Sequence, residues 1–346
     1  MTNDIPQIQF PDNVRLAYER IKLHLHNTPL LRSEVLNQML GADIYFKADS
    51  LQKTGAFKVR GVLNHLLYLQ EQGRLPEQVV GYSTGNHGIG LAWAARKLGI
   101  RARIYLPKNT APVKQRAAEF YGSEVIYTDS RSEAEERTKH DGANGFYYMH
   151  PSDSDATIAG AGTCAFEALQ QMGEDKPDAI FASCGGGGLL SGTYLAKELL
   201  SPRSEVIGSE PLQANDAFLS LQQGSIFKFE HSPDTIADGL RTLGVSNRTF
   251  NHLQKLDDFM LVEEERIFYW TAWLIHLLKI ACEPSCAMNM ESVVKWLGAN
   301  KRKDSSSRAT TRDPAKILVL ISGGNIDPIL YRQLWKEDYL AEMPTI

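Results

Sequence analysis

Along the chain, short runs of adjacent apolar residues alternate with longer stretches whose apolar positions recur every three or four residues. The short runs predict strands at Ile44–Lys47, Val79–Ser83, Arg103–Leu106, Glu124–Thr128, Asp178–Ala182, Glu205–Ile207 and Lys316–Ile321. Phe57–Leu69 and His87–Leu98 carry helical spacing. Runs such as KILVLI lack the alternation of a half-exposed strand, which predicts burial on both faces, as in a parallel sheet. The pattern therefore predicts an open α/β architecture with helices on both sides of the sheet. Ligands in such folds sit where loops leave the carboxyl ends of strands. Ile267–Cys282 is apolar but short for a bilayer and is interrupted by His276 and Lys279, so it predicts a buried helix. Asn300–Thr311, charged and serine-rich, predicts a surface loop between a helix ending near Leu297 and the last strand.

The chain has 346 residues, a length that suits two domains. With 37 lysines and arginines against 41 acidic residues the net charge is −4, which argues against a nucleic-acid surface. Four cysteines do not make a disulfide scaffold, and packing is the role expected of them. The opening MTNDIPQIQF has no basic segment followed by an apolar stretch, so a cytoplasmic location and no membrane partner are expected.

Four loops carry candidate chemistry, each following a predicted strand or opening a helix. In SCGGGGLLSG the consecutive glycines Gly185, Gly186, Gly187 and Gly188 let amide groups converge on one anion at a helix start. A tight packing turn is the alternative reading. In STGNHG the amides and the side chains of Ser83, Thr84 and Asn86 suit a carboxylate or phenolate oxygen, with His87 at the loop–helix junction. In LQKTGAFKVRG, Lys58 opens a helix after Gly55 among other cations, a setting that lowers a lysine pKa and favours Schiff-base chemistry. In SGGN, Ser322 places a hydroxyl at the end of a buried strand.

Together with HPSDSDATIAGAGT, GSEP, TIADG and EPS, these runs resemble, in order and over about residues 15–330, the fold type II pyridoxal-phosphate enzymes. The branch they resemble holds threonine/serine ammonia-lyases, serine racemases and hydroxyaspartate dehydratases. The resemblance implies a tryptophan synthase β-like fold of two open, twisted α/β domains. Residues 1–77 and 156–346 would form the large cofactor domain, and 78–155 a small mobile substrate-side domain. Lys58 would carry pyridoxal 5′-phosphate and act on the α-proton, with Phe57 beside the ring. Asn86 would meet the 3′ oxygen, Gly185 to Gly188 the phosphate, Ser322 the pyridine nitrogen, and Gly239 would lie near the ring. Ser83, Thr84, Gly85 and His87, with Arg131 from the small domain, would take the substrate carboxylate. Glu210, the Ala214 carbonyl and Asp216 would hold Mg2+ or Ca2+. The implied partner is a small amino acid, and the implied assembly a homodimer.

Some positions depart from the family pattern. Thr84 stands where racemases place a serine as second-face acid/base, Ala56 where serine is common, and Ser152 where asparagine is frequent in racemases. Asn289 suggests altered packing or specificity, and Arg241 is either a group for a second carboxylate or a solvated arginine. The expected reaction is dehydration and deamination of L-threonine or L-serine to a 2-oxo acid and ammonia. Serine racemisation, 3-hydroxyaspartate dehydration and a catalytically silent ligand-binding protein are the alternatives.

Overall fold

The computed structural model describes residues 12–83, 85–108, 110–305 and 313–346. Ten strands are present among them: β1 (Leu30–Leu31), β2 (Ala42–Ala48), β3 (Gln78–Tyr82), β4 (Arg101–Pro107), β5 (Glu124–Thr128), β6 (Tyr147–Tyr148), β7 (Ala179–Ser183), β8 (Glu205–Pro211), β9 (Asp258–Val262) and β10 (Ala315–Ile321). They form a six-stranded sheet in the order β1-β2-β10-β7-β8-β9 and a four-stranded sheet in the order β5-β4-β3-β6. Only the β1–β2 pair is antiparallel.

The unbroken apolar runs explain the parallel pairing. In β10, Ile317, Val319 and Ile321 enter the core on one face of the large sheet with Phe181 and Trp270, while Leu318 and Leu320 enter the core on the other with Ile180 and Phe166. A strand covered on both faces has no use for polar alternation. Trp270 lies in the helix Glu264–Leu278, so the apolar stretch Ile267–Cys282 is a buried helix as far as Leu278, where Lys279 takes a left-handed conformation and ends it. A third core joins β3 and β4 to the helices Lys58–Glu71 and Asn86–Leu98 through Val59, Leu63, Leu66, Val79, Leu91 and Ile104.

Glycines in TIAGAGT set the helix packing. A Cβ on Gly162 would lie 2.5 Å from the Gly192 carbonyl oxygen, so the helices Asp155–Gln171 and Gly188–Leu200 cross at backbone contact. The surface loop expected over Asn300–Thr311 is corrected over residues 300–305. The helix Asn289–Ser305 runs through them, because lysines and arginines are good helix formers. Residues 306–312 lie outside the described residues.

Candidate active site

A cavity of about 700 Å³ opens between the two sheets, walled by loops that leave the carboxyl ends of β3, β7 and β10. Phe57, Lys58, Ser83, Gly85, Asn86, His87, Arg131, the glycines 185–188, Gly239 and Ser322 all line it. Thr84 lies outside the described residues.

Lys58 is the first residue of its helix. The preceding turn is stitched to the SGGN loop: the Phe57 amide donates to the Ser322 carbonyl at 2.8 Å, and the Gly324 amide to the Gly55 carbonyl at 2.9 Å. Gly55 has φ +70°, and a Cβ there would lie 2.5 Å from Asn325 Oδ1, so only glycine fits. Lys58 Nζ donates to the Pro151 carbonyl at 3.2 Å and sits 5.0 Å from the centre of the Phe57 ring. Burial and then the Arg131 guanidinium push the Lys58 pKa down to about 8, against a smaller opposing effect of Cys184.

Across the cavity, Gly187 takes φ +80° and precedes the helix Gly188–Leu200. A Cβ on Gly186 would lie 2.5 Å from Ser152 Oγ, and one on Gly187 2.7 Å from Thr249 Cβ. The loop is thus pressed against its neighbours, and its amides with the helix start make an anion cradle. Ser322, beside the Lys58 turn, gives the cavity a hydroxyl and not a carboxylate. The Gly239 amide donates to Ser285 Oγ at 3.1 Å.

In the STGNHG loop, Ser83 Oγ accepts from the amides of Gly85 and Gly88, each at 2.9 Å, and keeps its own proton to donate. His87 Nε2 is 3.0 Å from the Met149 carbonyl, which fixes the ring proton there and leaves Nδ1 a buried acceptor without a partner. Burial and then Lys58 hold its pKa at about 3, so the neutral ring offers no N–H to a carboxylate. At that position the backbone amide, in the first turn of its helix, is the available donor. Asn86 Nδ2 donates to both oxygens of Glu283 at 3.0 Å, and Asn86 Oδ1 accepts from Asn325 Nδ2 at 2.9 Å.

Lys114, absent from the candidates read along the chain, completes this wall. Its side chain crosses Gly85, where a Cβ would lie 2.4 Å from Lys114 Cδ, and pairs with Asp238 at 2.7 Å and Glu283 at 3.8 Å. Burial opposes the charge on Lys114, and Glu283 and Asp238 outweigh it, so its pKa is raised. Glu283 did carry a signal, as a lone carboxylate inside the apolar run ACEPSCAM.

Arg131, at the start of the helix Arg131–Ala143, donates through Nη1 to the Arg241 carbonyl at 2.6 Å. Arg241 itself is a correction. Its Nε and Nη2 donate to the Thr235 carbonyl at 2.8 and 2.6 Å, so its guanidinium is spent on its own turn and is not among the groups lining the cavity. Asn289 is buried, with Nδ2 donating to Ser183 Oγ at 3.2 Å. Cys282 and Cys286 are buried thiols 3.6 Å apart.

The expected cation ligands lie apart from the cavity, at the end of β8 and the start of the helix Asp216–Gln223. Among the described residues no cluster of three His, Cys, Asp or Glu side chains suits a metal. The set is two carboxylates and the Ala214 carbonyl. Glu210 accepts from the amides of Ala217 and Phe218 at 3.2 and 2.9 Å, Asp216 Oδ1 accepts from Thr242 at 3.1 Å, and Asp216 Oδ2 is buried without a partner. Two facing buried carboxylates with an orphaned oxygen fit a hard cation by charge and donor type.

The cavity's own groups fit pyridoxal phosphate: a low-pKa amine for the aldehyde, an amide cradle for the phosphate and a neutral hydroxyl for the ring nitrogen. A family model described as "Pyridoxal-phosphate dependent enzyme" matches residues 21–323. A serine racemase of Dictyostelium discoideum is 35% identical, covering 91% of this chain and 94% of that protein. An L-threo-3-hydroxyaspartate ammonia-lyase of Saccharomyces cerevisiae is also 35% identical, covering 93% and 95%. A solved T.th. threonine deaminase superposes with a TM-score of 0.80 at 35% identity, covering 92% of this chain and 98% of that one. On the match and on the geometry alike, the chain belongs to the fold type II pyridoxal-phosphate-dependent enzymes, in the branch of serine racemases and threonine-type ammonia-lyases.

Proposed function

We propose that the protein removes the β-hydroxyl of a small β-hydroxy amino acid and releases ammonia and a 2-oxo acid. L-Threonine would give 2-oxobutanoate, and L-serine pyruvate. The observation that carries this reading is Lys58, an amine with pKa about 8 facing a glycine cradle across one cavity. Pyridoxal phosphate, when bound, supplies the electron sink that lets negative charge develop at Cα.

The chain's own residues do the rest. The amides of Gly185 to Gly188 hold the phosphate. The Ser83 hydroxyl and the His87 amide would orient the substrate carboxylate. Lys58 Nζ would take the proton from Cα, and its lowered pKa keeps a useful fraction neutral near pH 7 to 8. Ser322 would offer the ring nitrogen a hydroxyl and no acid, a neutral partner that suits elimination over long-lived carbanion chemistry. Glu210, the Ala214 carbonyl and Asp216 would hold Mg2+ or Ca2+, neutralising two buried carboxylates. Residues 78–155 would move as a small lobe against the remainder.

Serine racemisation is the second reading, favoured by relatives that bear that name. It requires an acid/base on the face opposite Lys58, for which Thr84 is the candidate. The deciding experiment incubates cofactor-loaded protein with L-threonine, both serine enantiomers and 3-hydroxyaspartate. Ammonia and 2-oxo acid are measured by coupled assay and serine enantiomers by chiral chromatography. A 2-oxo acid from at least one substrate is expected. Serine interconversion without 2-oxo acid would replace elimination by racemisation, and cofactor loading without any product would sink both.

A further inference from the structure

Two of the four cysteines stand together, behind a wall of the cavity, and the reaction above leaves them unused. Cys282 and Cys286 lie in the core on one face of the large sheet, and Cys164 and Cys184 in the core on the other. Cys282 and Cys286 are fully buried thiols whose sulfurs, 3.6 Å apart, touch. Cys286 belongs to the short helix Pro284–Ala287 and Cys282 precedes it, so Glu283, Pro284 and Ser285 are all the chain between them. Glu283 and Ser285 line the cavity. Glu283 accepts from Asn86 Nδ2 at 3.0 Å and from the Asn325 amide at 2.7 Å, and its own amide donates to the Gly323 carbonyl at 2.9 Å. Ser285 Oγ accepts from the Gly239 amide at 3.1 Å. The turn between the thiols thus ties the STGNHG, SGGN and TIADG loops to one another.

The two thiols are not equivalent. Cys286 Sγ donates to the Glu283 carbonyl at 3.2 Å and lies 3.5 Å from the Gly323 carbonyl. Burial raises the Cys286 pKa, but the Cys282 thiol and the backbone of Gly323 and Ser322 together outweigh burial and Glu283, so the net shift is downward. The hydrogen bond with Cys286, and then burial, raise Cys282 well above the ordinary thiol value. A lowered thiol touching a protonated one is the pairing of an attacking and a resolving cysteine. Joining them would draw the sulfurs from 3.6 Å to about 2 Å and remove both S–H donors. Glu283 and Ser285 ride on the short stretch of chain that must give way.

We propose that Cys282 and Cys286 form an oxidisable dithiol, and that its closure to a disulfide loosens the cofactor wall. The oxidant is hydrogen peroxide, since buried sulfurs admit a neutral molecule near the size of water and shut out bulky disulfides. The Cys286 thiolate attacks one peroxide oxygen. An S–O bond forms, the O–O bond breaks, and the departing hydroxide takes up the proton that Cys286 released. The Cys282 sulfur then attacks the sulfenic sulfur. The S–S bond forms, the S–O bond breaks, and the departing hydroxide takes the Cys282 proton. Two thiols give up two electrons, and one peroxide is reduced to two waters. The switch acts on the cofactor's seat and operates whichever reaction the site performs.

The test treats the full-length protein and the variant Cys286→Ala with hydrogen peroxide and reads two things. The first is the mass of the tryptic peptide 280–295, which holds both thiols and is released without reductant. In wild type it should lose two hydrogens and regain them with dithiothreitol. Oxidation of Met288 or Met290 in the same peptide adds oxygen instead, and dithiothreitol does not reverse it. The second is the concentration of pyridoxal phosphate that half-saturates the protein, by absorbance titration. Oxidation should raise it about tenfold in wild type, the effect of one lost hydrogen bond to a charged group, and dithiothreitol should restore it. In Cys286→Ala peroxide should leave it where it was. Thiols at 282 and 286 that stay free under peroxide overturn the proposal. So does a disulfide that forms without moving the half-saturation point, or a Cys286→Ala variant that responds as wild type does. Should Cys286→Ala not fold, the wild-type peptide mass and its reversal together with the half-saturation point still decide.

Discussion

Two clusters of buried charge flank Lys58, and they are wired differently. Behind the lysine helix, Arg60 donates to both oxygens of Asp49 at 2.6 and 2.8 Å and to Glu167 at 2.9 Å, while Lys47 pairs with Glu167 at 2.6 Å. None of these four side chains is more than 4% exposed, and the loop residue Thr28 joins them through its hydroxyl, amide and carbonyl. In front, Lys114 reaches from the helix Pro112–Phe120, beside the small sheet, to Asp238 and Glu283 on the large-sheet side. There Asp238 is 29% exposed and the Glu283 contact is the longer one, 3.8 Å. The rear cluster is closed and lies behind the helix that Lys58 opens. The front cluster is more open and spans from the small-sheet side to the large-sheet side of the cavity. Similar chemistry therefore serves stability in one place and site geometry in the other.

Breaking the rear cluster should have the largest effect. Arg60→Met leaves Asp49 as an uncompensated buried carboxylate, while Glu167 keeps Lys47, and unfolding free energy should fall by about 3–5 kcal/mol. Urea denaturation of the cofactor-free protein checks this, and a loss under about 1 kcal/mol would show that the cluster does not carry the fold.

Breaking the front cluster should separate activity from stability. Lys114→Met is expected to lower kcat/KM about tenfold, about 1.4 kcal/mol in the transition state, while the urea midpoint shifts far less than in Arg60→Met. Equal losses in both variants' stability would erase the distinction.

The smallest effect concerns the amine between the clusters. In cofactor-free protein, Lys58 should react with pyridoxal phosphate at a rate that rises with pH through about 8, as the ammonium loses its proton. Arg131→Gln removes a nearby cation that favours the neutral amine, so the midpoint should move up. A midpoint that stays put or moves down would mean Arg131 does not act on Lys58 electrostatically.

Much of this was legible in the chain because local chemistry forced it. KILVLI reads as a strand covered on both faces, and it is one: alternate residues enter opposite cores. The glycine run 185–188 reads as an anion cradle or a tight packing turn, and at Gly186 a Cβ would meet Ser152 Oγ at 2.5 Å. What escaped the reading depends on distance along the chain. Lys114 finds its partners 124 and 169 residues away, and no local pattern marks it among the exposed lysines. The two-residue strands β1 and β6 are too short to show periodicity, and β9 escaped because three of its residues are only half-buried. Arg241 misled because a charge near a glycine turn suggests a ligand, whereas the Thr235 carbonyl already accepts from it twice.

The most direct test of the account is covalent. Protein reconstituted with pyridoxal phosphate, reduced with borohydride and digested, should yield one pyridoxyl-lysine peptide, and mass spectrometry should place the group on Lys58. A pyridoxyl group on another lysine, or on none, would contradict the claim that this amine is the cofactor's anchor.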